Sequence, residues 1–60
     1  MQLLDITQLC EKIRVKKKTI YDWTHKGSIP YIKLGRLLRF DPDDIDRWLK
    51  KRKHPKSLRS

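Results

Sequence analysis

Cysteine, glycine and long apolar runs are all scarce in this sequence, and each shortage excludes a class of protein. A single cysteine among 60 residues allows no internal disulfide, and together with two scattered histidines it does not match the ligand spacing of a zinc site. Two glycines cannot supply a glycine-rich phosphate loop. No apolar run approaches the roughly 20 residues that span a bilayer, and the N-terminal residues do not have the pattern of a signal peptide. We therefore expect a cytoplasmic protein that holds no metal or cofactor and does not bind a membrane.

The length of the chain argues against an enzyme. Sixty residues form one small domain, and a domain of this size buries only about 60% of the surface that its unfolded chain exposes. Such a domain has no room for a separate substrate pocket, and the sequence contains no Ser/His/Asp set and no metal-ligand cluster. The acids between residues 41 and 46 are explained more simply by capping of a helix than by a metal site.

The formal net charge of +9 is distributed in blocks. Residues 12–39 carry +8 and residues 50–60 carry +6, whereas residues 1–11 carry −2 and residues 40–49 carry −3. This pattern is typical of a polarised surface with one side facing a polyanion. The alternative is a solvated basic face that serves only solubility.

Apolar spacing and capping residues predict two short helices in the first half of the chain. Asp5 is a good N-cap for a helix over about residues 6–13, whose apolar residues recur on one stripe. A tight turn leads to a second helix from residue 17 to 25 or 26, and Gly27 suits the left-handed position that ends it. The predicted buried stripe of this second helix is Ile20, Trp23 and Thr24.

A β-hairpin is predicted next. Residues 31–34 and 38–40 alternate in polarity around a turn at residues 35–37. The alternation places Lys33 and Arg39 on the outer face of the hairpin and Arg36 at its tip. The predicted inward residues are Ile32, Leu34, Leu38 and Phe40.

A third helix begins after the hairpin. Asp41 is its expected N-cap and Pro42 its first helical residue, and the helix should end before Pro55. The cations at residues 50–53 complement the C-terminal end of its dipole. Its predicted buried stripe is Ile45, Trp48 and Leu49.

The resulting fold class is mainly α with a small two-stranded β-hairpin. We expect one domain over residues 1–53 and a flexible basic tail over residues 54–60. Both tryptophans lie on apolar stripes, which favours a place in the core over stacking on bases. The predicted core comprises Leu4, Ile6, Leu9, Cys10, Ile13, Val15, Ile20, Trp23, Ile29, Ile32, Leu34, Leu38, Phe40, Ile45, Trp48 and Leu49.

Three consecutive lysines at the start of the second helix are the most informative local feature. Lys16 is a poor N-cap, and Lys17 and Lys18 oppose the helix dipole by roughly 0.3–1 kcal/mol each. A phosphate bound at this end would reverse the sign of the effect, because helix N-termini bind anions. Other residues on the exposed face, Tyr21, Asp22 and His25, also suit phosphates and base edges.

These segments resemble the excisionase-type helix-turn-helix domains, which belong to the winged-helix group that includes the MerR regulators and the AlpA-like phage proteins. The similarity covers residues 3 to about 50. Its most specific part is the spacing of Gly-x-Ile-Pro, eight residues before Gly-Arg, with a closing Trp-Leu helix. The matching segments are residues 3–6, 15, 19–21, 27–30, 33–36, 39–40, 44–45 and 48–49.

The resemblance implies roles for individual residues. The second helix would enter the major groove, with Lys17, Lys18 and Asp22 near base edges and with Thr19 and Tyr21 near phosphates. The hairpin would form the wing and place Arg36 and Arg39 on the backbone or in the minor groove. The full predicted DNA-binding set is Arg14, Lys16, Lys17, Lys18, Thr19, Tyr21, Asp22, His25, Lys33, Arg36 and Arg39.

Several residues have two interpretations. Asp22 can accept from cytosine, or it can pair with Lys18 or Lys26 along the helix. Leu37, an apolar residue at the wing tip, can touch the minor groove or be half covered by its own hairpin. His25 is either a helix-end cation or a phosphate contact, and Lys12, Lys26 and Lys33 can be plain solvated charges.

The resemblance implies a sequence-specific binder of double-stranded DNA from a bacterial or phage mobile element or its host. It would be an excisionase-like recombination factor that assists an integrase, or a small transcription regulator that acts on RNA polymerase. We expect a monomer in solution, associated with the nucleoid and able to bind neighbouring repeats cooperatively. The alternative is a basic module that binds an acidic protein or RNA, although the sequence shows no exposed aromatic platform for single-stranded RNA. A membrane-active cationic peptide is disfavoured because both tryptophans are committed to a core.

Overall fold

The computed structural model describes residues 2–53 and contains three helices and one antiparallel hairpin. This order of elements is that of a small winged helix-turn-helix domain. The predicted tail over residues 54–60 lies outside the described residues. The elements are α1 (Ile6–Ile13), α2 (Lys17–Lys26), β1 (Ile32–Leu34), β2 (Leu37–Arg39) and α3 (Pro42–Arg52).

Helix α1 begins with a reciprocal capping box. The Asp5 carboxylate accepts from the backbone N–H of Gln8 at 2.8 Å, and the Gln8 side-chain oxygen accepts from the backbone N–H of Asp5 at 2.9 Å. The helix ends at Arg14, which adopts the left-handed conformation with φ 58°. That conformation is unfavourable for a residue with a Cβ atom. It reverses the chain direction within a short turn, so α2 starts three residues later.

Helix α2 begins without a side-chain cap and ends at a glycine. Lys16 occupies the N-cap position and forms no capping hydrogen bond from its side chain, as the sequence predicts. Gly27 has φ 70° at the C-terminal end, so the left-handed position expected there is confirmed. Ser28 closes the end by donating its N–H to the Trp23 carbonyl at 2.9 Å.

The hairpin is present, but its predicted turn is one residue too long. The observed turn contains only Gly35 and Arg36, with φ 62° at the glycine, and Leu34 pairs with Leu37 across it. Directly opposed residues share one face of a hairpin, so Lys33 shares its face with Leu38. A slip of one residue reverses the face of an entire strand. The expectation that Lys33 and Arg39 lie on a common outer face is therefore wrong.

Helix α3 begins as the sequence predicts. The Asp41 carboxylate accepts from the Asp43 backbone N–H at 2.9 Å, and Pro42 occupies the first turn. Asp43 and Asp44 add negative charge at the positive end of the dipole. The three basic residues of the last turn lie at the negative end of the dipole, so the charges at both ends of α3 complement it.

The core draws on all three helices, the hairpin end and the segment after α2. Its fully buried members are Leu9, Ile20, Ile29, Phe40 and Ile45, each of which contributes roughly 1.5–3 kcal/mol to stability on burial. Both predictions for the tryptophans hold, since Trp23 and Trp48 pack on this cluster with ring centroids 5.4 Å apart. Three predicted core residues lie outside this cluster. Leu34 and Leu49 are exposed, and Leu34 retains 49% of its accessible surface. Ile32 is half-buried on the hairpin face that it shares with Leu34 and Arg39. The remaining residues packed against the cluster are Leu4, Ile6, Cys10, Ile13, Val15 and Leu38.

Candidate nucleic-acid interface

The N-terminal end of α2 is an exposed cluster of cations. Lys16, Lys17 and Lys18 are all exposed, and the first turn contains no acid. Within residues 2–53, none of the three forms an ion pair. The free backbone N–H groups of the first turn and the positive end of the dipole lie at the same place. This end of the helix is therefore chemically suited to hold an anion.

An open groove runs between α2 and the hairpin, with a volume of about 640 Å³. We call it the α2–hairpin groove. One wall is α2, and the other is the hairpin together with the residue that leads into it. The lining residues are Tyr21, Asp22, Thr24, His25, Tyr31, Lys33, Arg36 and Leu38.

The register of the hairpin decides which of its cations line this groove. Lys33 and Leu38 share the face toward α2, and Arg36 lies at the turn, so two cations line the groove from the hairpin side. Arg39 lies on the opposite face, where its guanidinium donates to the Leu38 carbonyl at 2.8 Å. The predicted hairpin contacts are therefore divided between two faces, and only Lys33 and Arg36 join α2.

Of the alternatives that the sequence left open for Asp22, the structure shows the ion pair with Lys26. The Asp22 carboxylate lies 3.1 Å from the Lys26 ammonium, one helical turn along α2. Both side chains are more than half exposed, and an exposed pair of this kind contributes about 0.3–0.5 kcal/mol. The pair is weak enough to exchange, so Asp22 is available to a hydrogen-bond donor in the groove.

The predicted binding residues occupy three places on the surface. Tyr21, Asp22, His25, Lys33 and Arg36 meet in the α2–hairpin groove. Lys16, Lys17, Lys18 and the half-buried Thr19 surround the start of α2, and Arg14 lies in the turn just before it. Only Arg39 is set apart from both groups by the hairpin register.

The predicted binding set lacks three residues of the groove: Thr24, Tyr31, and Leu38, which is predicted as a core residue and also packs on the core. Thr24 lines the groove instead of belonging to a buried stripe, and its hydroxyl donates to the Tyr21 carbonyl at 2.9 Å. Tyr31 also lines it and is 44% exposed, while Tyr21 is 53% exposed. Two tyrosines are therefore exposed in one groove, whereas the sequence pattern assigns only Tyr21 to the surface. The sequence signal for Tyr31 is its position. It follows Pro30 directly and precedes the strand residues that pair, so it is not held in the sheet.

Two further observations apply to residues 2–53. No group of three or more His, Cys, Asp or Glu side chains is placed to hold a metal ion in this part of the chain. None of the helices in the same range is both long enough and apolar enough to cross a bilayer.

The fold and the groove together define a winged helix-turn-helix domain. Residues 3–53 match the family model described as a helix-turn-helix domain, which covers most of the chain, and the protein belongs to this family. It is also similar to two proteins of Mycobacterium tuberculosis, from strains CDC 1551 / Oshkosh and ATCC 25618 / H37Rv, each named "putative DNA-binding protein". Each is 37% identical over 38 residues, which are 63% of this chain and 49% of the relative, so the match spans about half the length of those proteins. No solved structure matches the chain.

Proposed function

We propose that the protein binds double-stranded DNA sequence-specifically, with α2 in the major groove and the hairpin against the adjoining backbone. The observation that carries this proposal is the groove formed jointly by α2 and the hairpin, beside a basic helix start that has no side-chain cap. The names of the two mycobacterial relatives support it.

The dimensions of α2 suit this role. Ten residues of α-helix are about 15 Å long, and the major groove of B-DNA, roughly 12 Å wide, admits one α-helix. With α2 inserted, the α2–hairpin groove would receive the phosphate backbone of one strand. Lys33 and Arg36 would contact it from the hairpin, and the Tyr21 hydroxyl would contact it from α2.

Residues of α2 and of the turn before it would recognise base edges and bind phosphates. Lys17, Lys18 and Asp22 would lie near base edges, while Lys16, Thr19 and Arg14 would lie near phosphates. His25 would contact a phosphate from the groove. Arg39 lies on the far face of the hairpin, so it would contribute less to this binding than Lys33 does.

We further propose a role on a bacterial or phage mobile element. The protein would be an excisionase-like recombination factor that assists an integrase, or a small regulator that acts on RNA polymerase. It would bind as a monomer, cooperatively where its sites are repeated. The resemblance of the Gly-x-Ile-Pro and Gly-Arg segments to excisionase-type domains supports this finer role.

Selection from a pool of randomised duplexes tests the proposal. We expect one enriched motif, protection of that motif in footprinting, and amide shifts across residues 16–25 when the duplex is added. For about five phosphate contacts, the slope of log K against log salt should be near −4 to −5. An unenriched pool together with unshifted α2 amides would overturn the proposal.

Single-stranded nucleic acid is a second candidate ligand, favoured by the two exposed tyrosines beside cations in one groove. Stacking of a base on such a ring contributes about 1–3 kcal/mol. Titration at near-physiological salt against duplex DNA, single-stranded DNA, structured RNA and an acidic protein separates the candidates. Tighter binding to single strands, weakened by Tyr31→Ala, would favour this second function. Tightest binding to the acidic protein would instead favour a protein-interaction module.

A further inference from the structure

The C-terminal half of α3 is hydrogen-bonded to the segment that follows α2. The Trp48 indole N–H donates to the Ser28 carbonyl at 2.7 Å, and the Arg52 guanidinium donates to the same carbonyl at 3.3 Å. The Arg52 guanidinium also lies 4.6 Å from the centroid of the Trp48 ring, a cation–π contact. Two independent contacts therefore set the direction of the Arg52 side chain.

Lys51 lies beside the same segment. It lines a second open depression of about 300 Å³, which we call the α3 depression. Pro30 lines the α3 depression, and the next residue, Tyr31, lines the α2–hairpin groove. Consecutive Cα atoms are about 3.8 Å apart, so neighbouring residues of this one segment line the two concave surfaces.

The cations at the end of α3 are not equivalent, because successive helical residues are rotated by about 100°. Lys50 follows the row of Asp46, whose carboxylate lies 3.7 Å from the Lys12 ammonium on α1. Lys51 instead follows the row of Asp44 and Arg47, which line the α3 depression. Lys50 is thus on the α1 side of α3, while Lys51 and Arg52 face the segment after α2.

We infer that Lys51 and Arg52 form a second phosphate-binding surface, which contacts the DNA backbone beyond the C-terminal end of α2. This inference rests on the proposed DNA-binding function. Arg52 has five N–H donors, of which the Ser28 carbonyl engages only part, so it can hold a phosphate while its plane stays on Trp48.

The positions of the two cation groups suit opposite strands of a duplex. The lysines lie at the N-cap and in the first turn of α2, and Ser28 follows its last turn, so cations lie near both ends of a helix about 15 Å long. The major groove that would hold this helix is about 12 Å wide. Cations at one end of α2 can then reach one backbone while cations at the other end reach the second.

A matched pair of variants tests this surface. Lys51→Gln and Lys50→Gln remove the same charge from the same helical turn, with little change in helix propensity, and they weaken the dipole interaction alike. Binding to the selected duplex is measured between about 50 and 200 mM salt. We expect Lys51→Gln to reduce the steepness of the salt slope by about 0.9 and to weaken binding fivefold to tenfold, on every sequence alike. Lys50→Gln should leave the slope unchanged, and equal effects of the two would overturn the inference.

Arg52→Lys provides a second test, since it preserves the charge and removes the planar guanidinium. We expect weaker binding than wild type, with the melting temperature recorded in parallel to show that the variant is folded. Binding as tight as wild type would contradict the role of the Trp48 contact in directing Arg52.

Different results would contradict the second phosphate-binding surface and the proposed DNA-binding function. If Lys18→Ala weakens duplex binding and Lys51→Gln matches Lys50→Gln, only the second surface is wrong. If the wild-type chain binds no duplex at all, the proposed function and this inference are both wrong.

Discussion

Helices α2 and α3 begin in opposite electrostatic ways. Helix α3 starts with an aspartate that accepts a backbone N–H, and two further acids follow in its first turn. Helix α2 starts with an uncapped lysine and has no acid in its first turn. The first arrangement stabilises the helix by itself, whereas the second becomes favourable only when an external anion arrives. We therefore assign the start of α3 to helix stability and, under the proposed function, the start of α2 to DNA binding.

Transplanting the α3 start onto α2 should produce the largest effect. Lys16→Asp combined with Lys17→Glu supplies a cap and an acid, so the free energy of unfolding should rise by about 1–2 kcal/mol. DNA binding should weaken about 50-fold or more at 0.1 M salt, because the phosphate contact of Lys16 and the base contact of Lys17 are both replaced by negative charges. Urea unfolding and duplex titration measure the two quantities.

The control for that double variant is Lys50→Glu with Lys53→Glu, which makes the same change in net charge at the far end of α3. Its loss of binding should be clearly smaller. An α2 variant that binds as well as this control would contradict the assignment of the α2 start to the ligand.

Removing Lys18 alone tests the contribution of one side chain at the start of α2. Lys18→Ala should cost about 1–3 kcal/mol of binding and relax specificity at one base position if Lys18 reads a base. Selection with the variant and with wild type measures both effects. Equal weakening on every sequence would instead assign Lys18 to the phosphates.

The hairpin offers a comparison between its two faces. Lys33→Gln removes a cation from the α2–hairpin groove and should weaken binding fivefold to tenfold at 0.1 M salt. Arg39→Gln removes a cation from the opposite face and should have less than about a twofold effect. Duplex titration of both variants checks the difference, and the reverse order would show that the far face contacts DNA.

Removing the α3 cap should have the smallest effect of the four, and it should act on stability alone. Asp41→Ala should lower the free energy of unfolding by about 1 kcal/mol, because the Asp43 N–H loses its acceptor. Binding of the folded protein to DNA should not change. Urea unfolding measures the loss, with Asp46→Ala as a control outside the cap; a smaller loss for Asp41→Ala than for this control would argue against the cap.

The helices were predictable because their signals are local. The capping Asp5 and Asp41, the left-handed Gly27 and the apolar stripes act within one or two turns of chain. The predicted bounds of α1 and α2 accordingly agree with the observed ones. The overall charge pattern also indicated which helix start is exposed and basic.

The faces of the hairpin were not predictable in the same way. Alternating residues around Gly35 are compatible with a turn of two or three residues, and the choice reverses the face of one strand relative to the other. The structure has the shorter turn, which places Leu38 against the core and leaves Leu34 and Leu37 exposed on the other face. Leu38 and Phe40 pack inward as predicted, so the strand whose predicted face is reversed is the first one, which carries Ile32 and Leu34.

The order of elements, the ends of the helices and the basic start of α2 follow from capping residues, apolar periodicity and charge, which can be read within short stretches of the chain. Packing of the elements was needed to show which hairpin cations face α2, that Tyr31 lines the groove, and that Arg52 donates to the Ser28 carbonyl while it stacks on Trp48. Ser28 and Arg52 are 24 residues apart in the chain, and contacts of that separation depend on how the elements pack around one core.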